Sequence, residues 1–368
     1  MHKIIRIKIY LSALFVLLLM CRCTHESKTP CGDDGDTIRM KYAKNITIIR
    51  YDDRYHVELI NPWDTTKTLN TYDITEPFKH TAVYSAVHCS LIDELNEFDK
   101  IAAICDLEYI HMDKIHKGVE NGTIADIGNS MAPNIEKIID CNPDAILLSP
   151  FENSGGYGQI EKLGIPIIEC ADYMEISPLA RAEWIKFYGI LYGCYEKSCT
   201  MFDSIEQKYL ALKDSCIQYQ KNKKTLQPSI TLDMVTSSTW YVPGGNSTIG
   251  ILMKDACGDY VFKERKENGS LALSPETVFD KSYDADIWVI RYTKPQDFTY
   301  STLSKENPAY SKMKAFKQHN TYGCNLQYVA FFEETPFHPD RLLKDFIKII
   351  HPDILPDYNL RYYKKIKE

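Results

Sequence analysis

The sequence carries few of the short motifs that mark catalytic machinery. Its 368 residues contain no G-x-S-x-G elbow, H-E-x-x-H pair, phosphate-binding P-loop or G-x-G-x-x-G turn. Serine hydrolysis, zinc proteolysis, nucleotide hydrolysis and dinucleotide binding therefore lack their usual groundwork. The 12 cysteines include no C-x-x-C, so neither a zinc ribbon nor a thioredoxin-type centre is indicated. Basic residues are outnumbered, 43 against 50 acidic ones, and are not clustered. That balance disfavours nucleic acid as a partner, because phosphate contacts need concentrated Lys and Arg, although it leaves room for a local anion pocket. Short-period repeats and low-complexity tracts are missing too. Long apolar runs are scarce: Ile9 to Met20 is about a dozen residues, short of the ~20 that a spanning helix needs.

What is present begins with that run. Lys3, Arg6 and Lys8 precede it as a positive segment and Cys21-Arg22-Cys23 follows it, the layout of a secretory signal. A cysteine behind an apolar segment resembles a bacterial lipoprotein processing site, where the thiol of Cys21 or Cys23 would receive diacylglycerol. Met20 and Arg22 depart from the small residue that usually precedes that cysteine. An ordinary cleaved signal or an uncleaved anchor fits the same residues. Residues 1–23 are expected to direct export to the periplasm with a lipid anchor in the membrane, and polar residues 24–38 to form a tether. Removing Lys3, Arg6, Lys8 and Arg22 takes the formal charge from −7 to −11. The remaining ~345 residues suffice for two domains with their own cores. Several of the later cysteines, such as Cys89, Cys141 and Cys170, sit in apolar stretches and read as buried thiols. Export permits disulfides, but the spacing dictates no pairing.

Residues 40–60 alternate around Asp52-Asp53 and predict a β-hairpin, ended by Asn61-Pro62-Trp63. From residue 81 the rhythm becomes strand–helix–strand. Strands are predicted at 82–87, 101–104, 145–148 and 165–168, with helices over 90–97 and from 134 to 141, the latter stopped by Asn142-Pro143. Continuous apolar strands such as Ala145 to Leu148 imply a parallel sheet buried on both faces, hence a doubly wound α/β lobe over 39–176. Ser177-Pro178 opens a helix running to Tyr192, and a second helix from Glu196 to Gln220 forms a spine over 177–222. Residues 223–368 repeat the rhythm as a second α/β lobe. There, strands are predicted at 229–234 and 287–290, and helices at 247–256, 275–280, 310–316 and 339–350.

Four stretches now resemble the ABC-importer binding proteins that carry ferric siderophores, haem or vitamin B12, whose two lobes are joined by a helical spine. They are Ala82 to Ile104, IADIGNSMAPNIEKIIDCNPDAILLSP from Ile124 with LGIPIIE from Leu163, the helix pair from Pro178 to Gln220, and WYVPGGNSTIGILMKDACGDYVF from Trp240 with Leu273-Ser274-Pro275-Glu276. Within the second, Gly128, Asn134, Glu136, Pro143 and Asp144 match the family's pattern. The likeness covers about residues 80–350; the hairpin lies outside it.

The resemblance implies a carrier and not an enzyme. It would be a monomer that clamps a ligand between its lobes and docks on a permease dimer served by an ATPase. Glu136 and Glu276 match the family's docking glutamates, and a carboxylate near a helix N-terminus is favoured there and stays ionised. Loops after the strands supply candidate ligand contacts: Tyr84, Glu152, Tyr157 and Tyr173 in the first lobe, and Trp240, Tyr241, Arg291, Tyr292, Phe331 and Phe332 in the second. Aromatic faces suit a planar or macrocyclic ligand, and Arg291 suits a ligand carboxylate. No cofactor of the protein's own is expected, although the cargo would carry iron or cobalt. A bare transition-metal carrier using His88, His111 or His116 is the alternative, and a metallocofactor-handling enzyme of related bilobal fold a further one.

Overall fold

The computed structural model describes residues 35–152, 156–223 and 227–368. Residues 1–23, with Cys21 and Cys23, lie outside that set, as does most of the expected tether; the tether's last residues form a strand, Asp36–Ile38.

In the first lobe, apolar strands too short and too continuous to tolerate water stack side by side. The order is Ile167–Glu169, Ala145–Leu148, Thr81–Val83, Ile101–Ile104 and Ala125–Asp126, with every pairing parallel. Ile101–Ile104 and Ala145–Leu148 are buried along their whole length, as strands covered on both faces must be. Helix Ile135–Cys141 is closed at both ends by its sequence. Asn134 Oδ1 accepts from Lys137 N–H at 3.0 Å, and Asn142 turns left-handed ahead of Pro143. The strand expected through Val87 stops at Val83, and the helix expected over 90–97 runs instead over Ala86–Glu94, until Asn96 turns left-handed.

The second lobe orders its strands Asp259–Tyr260, Ser229–Leu232, Ile287–Tyr292, Thr321–Asn325 and Lys364–Lys365; all pairs are parallel except the last. A separate antiparallel sheet joins Val235–Thr236, Thr239–Pro243 and Ser270–Leu273. The helix expected at 310–316 is a 3-10 turn, Pro308–Lys312, and a short helix, Lys314–Lys317. They are divided by the extended and fully buried Met313, which anchors the bend in the core.

The spine is helical throughout but not in the expected two pieces. Pro178–Glu183 and Ile185–Leu191 break at Trp184, and Tyr195–Lys223 continues for 29 residues, about 43 Å at 1.5 Å per residue. Gly189 lets the second and third pieces meet, since a Cβ there would lie 2.0 Å from Ser198 Oγ. The long helix serves both cores: Phe202 and Ile205 pack with the first lobe, Tyr209 and Cys216 with the second. Shared burial of this kind leaves little freedom for a wide hinge.

The hairpin is a larger meander of Ile46–Arg50, Tyr55–Ile60 and Thr68–Ile74. Ile48, Val57 and Leu59 point inward and join the first lobe's core. The chain entering it is gripped by two buried carboxylates. Glu183 accepts from the N–H groups of Lys41, Tyr42 and Ala43 at 2.8, 2.6 and 2.9 Å, and Glu175 from those of Lys44 and Asn45, both at 2.9 Å. Five consecutive backbone donors are thereby satisfied away from a sheet.

Candidate ligand cleft

Parallel strands end together, so the loops after them converge. In the first lobe those loops surround a cavity of about 780 Å³ lined by Tyr84, Ser85, Ser130, Met131, Pro133, Ile135, Phe151 and Tyr157 among others, with no charged side chain in its wall among the described residues. Met131 and Phe151 are exposed, at 74% and 46%, so apolar surface faces solvent here without a covering element. Tyr157 is fixed from behind. Its hydroxyl donates to Glu169 Oε1 at 2.6 Å, while Glu169 Oε2 accepts from Asn70 Nδ2 at 3.0 Å and the Glu169 N–H donates to Tyr72 Oη at 3.0 Å. The meander thus braces the cavity wall. Burial, reinforced by the Glu169 carboxylate, pushes the Tyr157 phenol well up, so it remains a neutral donor. The Tyr84 hydroxyl is buried without a partner among the described residues.

Tyr173 stands beside this wall, its hydroxyl donating to Pro150 O at 2.5 Å, and Glu152 is exposed on the same loop system. Neither belongs to the cavity lining.

The second lobe treats its expected residues differently. Trp240 is not a lining residue: it is fully buried, its indole N–H donates to Leu232 O at 3.1 Å, and it packs edge-on against Phe279 and Tyr310. Its strand neighbour Tyr241 points the other way and is half exposed. Arg291 is not free for a ligand carboxylate, because Asp233 takes its guanidinium through both oxygens at 2.8 and 2.6 Å. Tyr292 is buried, its ring tilted against Phe298 with centroids 4.3 Å apart, and its hydroxyl accepts the Phe298 N–H at 3.0 Å. Phe331 is buried against Tyr362 and Tyr363, whereas Phe332 is 59% exposed.

The two loop edges meet. The His111 N–H, beyond strand Ile101–Ile104, donates to Glu333 Oε1 at 2.7 Å, beyond strand Thr321–Asn325. Glu94 carries the second connection, to His338 and to Arg341, the latter at 3.2 Å. The two lobes therefore touch through His111 and Glu94 of the first and Glu333, His338 and Arg341 of the second. Exposed apolar residues that sequence reasoning did not single out are Met131 and Phe151 in the cavity wall and, in the second lobe, Tyr328 at 63% exposure. Their signal was available: each is a large apolar side chain in a loop directly following a strand.

Glu136 and Glu276 occupy matching positions, each the second residue of a capped helix, behind Asn134 and Ser274 respectively. Both are exposed, and neither forms an ion pair among the described residues. The histidines do not converge. His88 is buried on Asp172 at 3.0 Å, His116 bonds Ile110 O at 2.7 Å, and His111 lies on Glu333. No group of three or more His, Cys, Asp or Glu poised for a metal occurs among the described residues.

Two lobes of parallel sheet on a helical backbone, with loops converging between them, define a solute-binding protein. A family model for periplasmic binding proteins matches residues 82–328, more than half of the chain, and the chain belongs to that family. An uncharacterized lipoprotein of Methanocaldococcus jannaschii is 26% identical over 380 residues, covering 91% of this chain and 87% of its own. Two solved structures share the fold. A periplasmic haem-binding protein of Pseudomonas aeruginosa has a TM-score of 0.60 at 13% identity over 79% of this chain and 99% of that one. A protein of the Fe3+-hydroxamate transport system of Saccharomonospora viridis has a TM-score of 0.58 at 14% identity, over 80% and 98%. These neighbours bind or transport solutes and are not named as enzymes. No helix among the described residues is long and apolar enough to cross a membrane.

Proposed function

We propose that this chain is the monomeric substrate-binding lipoprotein of an ABC importer. In this reading it is anchored outside the cytoplasmic membrane through Cys21 or Cys23 and carries a metal complex of the ferric siderophore, haem or corrinoid class. The carrying observation is the charge-free wall around Tyr84, Met131, Phe151 and Tyr157, open to solvent at the ends of the strands. Such a surface favours a cargo that offers an apolar face and little net charge, because no cation lines the wall among the described residues and Arg291 is already neutralised. The protein needs no cofactor of its own; iron or cobalt arrives inside the cargo. Glu136 and Glu276 are the docking contacts for the permease dimer. Two separated anions would fix the carrier's orientation on a basic partner and speed encounter.

The test is a thermal-unfolding screen of protein lacking residues 1–23 against cobalamin, haemin, neutral and anionic ferric siderophores, and free divalent metals. A cargo at ~100 times its Kd adds about 2.7 kcal/mol. A shift with a neutral complex supports the reading; a shift with bare metal alone overturns it. Charge reversal at both Glu136 and Glu276 should abolish uptake while leaving that shift unchanged, and loss of the shift would remove them from the docking face.

A further inference from the structure

A feature far from the cleft concerns the attachment of the spine to the second lobe, and it is independent of the cargo. Cys216 lies on the long helix Tyr195–Lys223 and is fully buried. Its thiol donates to Ala256 O at 3.4 Å, and one turn further along the same helix Gln220 Nε2 donates to Cys257 O at 3.2 Å. Cys257 is therefore laid lengthwise against the spine. It is also buried, and the bond from Cys216 to Ala256 O sets the Cys216 thiol beside residue 257.

Position 257 is unusual for a cysteine. Helix Thr248–Asp255 ends there in a left-handed turn, with Cys257 N–H on Lys254 O at 3.0 Å and Gly258 N–H on Met253 O at 2.9 Å. Cys257 holds φ +56°, the conformation that glycine normally fills at this point because a Cβ is penalised. Gly258 follows immediately, yet the strained residue is the one with the thiol.

We propose that Cys216 and Cys257 form a disulfide in the exported protein, stapling the spine helix to the second lobe. The closure belongs to folding, before either thiol is buried. Cys257, as thiolate, attacks one sulfur of a small exogenous disulfide such as oxidised glutathione and expels one thiol. Cys216 then loses its proton and attacks the Cys257 sulfur of the mixed disulfide, expelling the second thiol. Two protein thiols are oxidised and one small disulfide is reduced to two thiols. A bridge closing a loop of about 40 residues restrains the unfolded chain considerably.

The experiment is thiol mapping of the full chain recovered from the cell envelope. The protein is denatured in N-ethylmaleimide without reductant, digested and weighed by mass spectrometry. The expected result is a single cross-linked peptide pair containing Cys216 and Cys257, with the seven other described cysteines alkylated. Alkylation of Cys216 and Cys257 overturns the proposal. A second readout avoids any variant that folds poorly: a phosphine reductant should lower the wild-type unfolding midpoint by several degrees, and an unmoved midpoint also overturns it. C216S, where it folds, should be insensitive to the reductant.

Discussion

The two lobes face the same cleft with opposite economies of side chain. In the first, large apolar groups are left uncovered around a cavity, and the polar group that matters most, the Tyr157 hydroxyl, is braced from outside by Glu169 and the meander. In the second, the residues with the greatest recognition value are already consumed. Asp233 holds Arg291, Leu232 holds the Trp240 indole, and Phe331 is buried behind Phe332. In the proposed reading, one lobe receives the cargo and the other covers it. Affinity should therefore reside in the first lobe, while the second contributes exposed rings such as Tyr241, Tyr328 and Phe332 on closure.

Substitutions can break or sharpen that contrast. The largest effect is expected from Trp240→Ala, which should cost about 3–5 kcal/mol of stability as a core truncation. Tyr241→Ala, one residue away on the opposite face, should change stability by no more than about 0.5 kcal/mol. Denaturant midpoints of the two variants decide the point; equal costs would erase the inside–outside assignment. Asp233→Asn should cost about 2–3 kcal/mol by stranding a partly buried guanidinium. In return, Arg291 becomes available, so a carboxylate-bearing cargo such as haemin should bind more tightly than it does to the wild type, as read by titration. Joint replacement of Met131 and Phe151 by alanine should weaken cargo binding about tenfold, roughly 1.4 kcal/mol, at unchanged stability. If affinity survived, the receiving surface would lie elsewhere.

The smallest effect is a pH dependence of the contact between lobes. Burial alone would lower the His338 imidazole, but the nearby Asp340 carboxylate, 3.8 Å away, and the hydrogen bond to Glu94 raise it above its ordinary 6.5. A raised histidine contributes stability that is complete below 6.5 and is lost as pH climbs through the raised value. The unfolding midpoint should therefore drift down modestly on that climb. His338→Gln should remove the drift, and an undiminished drift would assign it to another group.

Legibility in the sequence followed the reach of the interactions. Ala145–Leu148 and Pro339–Ile350 were predicted with their observed bounds, because an uninterrupted apolar run and a proline-started amphipathic helix are decided within their own length. Strand Thr68–Ile74 was not, since only Ile74 of its seven residues is buried and only pairing with Tyr55–Ile60 defines it. The same limit applied to the cleft. Trp240 and Tyr241 are adjacent and chemically alike, and only the pairing with Ser270–Leu273, 30 residues on, fixes which one faces the core. Arg291 read as an available cation because its partner Asp233 lies 58 residues earlier. Glu136 and Glu276 were easier, being set by caps within two residues of each.

The grip of Glu175 and Glu183 on residues 41–45 has a mechanical meaning. A pull on the chain upstream meets strand Asp36–Ile38 and then these five amides, held by two carboxylates that flank the first spine helix. Strand Asp36–Ile38 pairs with Ile46–Arg50, so the meander shares that load with the helical frame. A carrier held on a leash and jostled at a membrane would spread the strain over sheet and spine together.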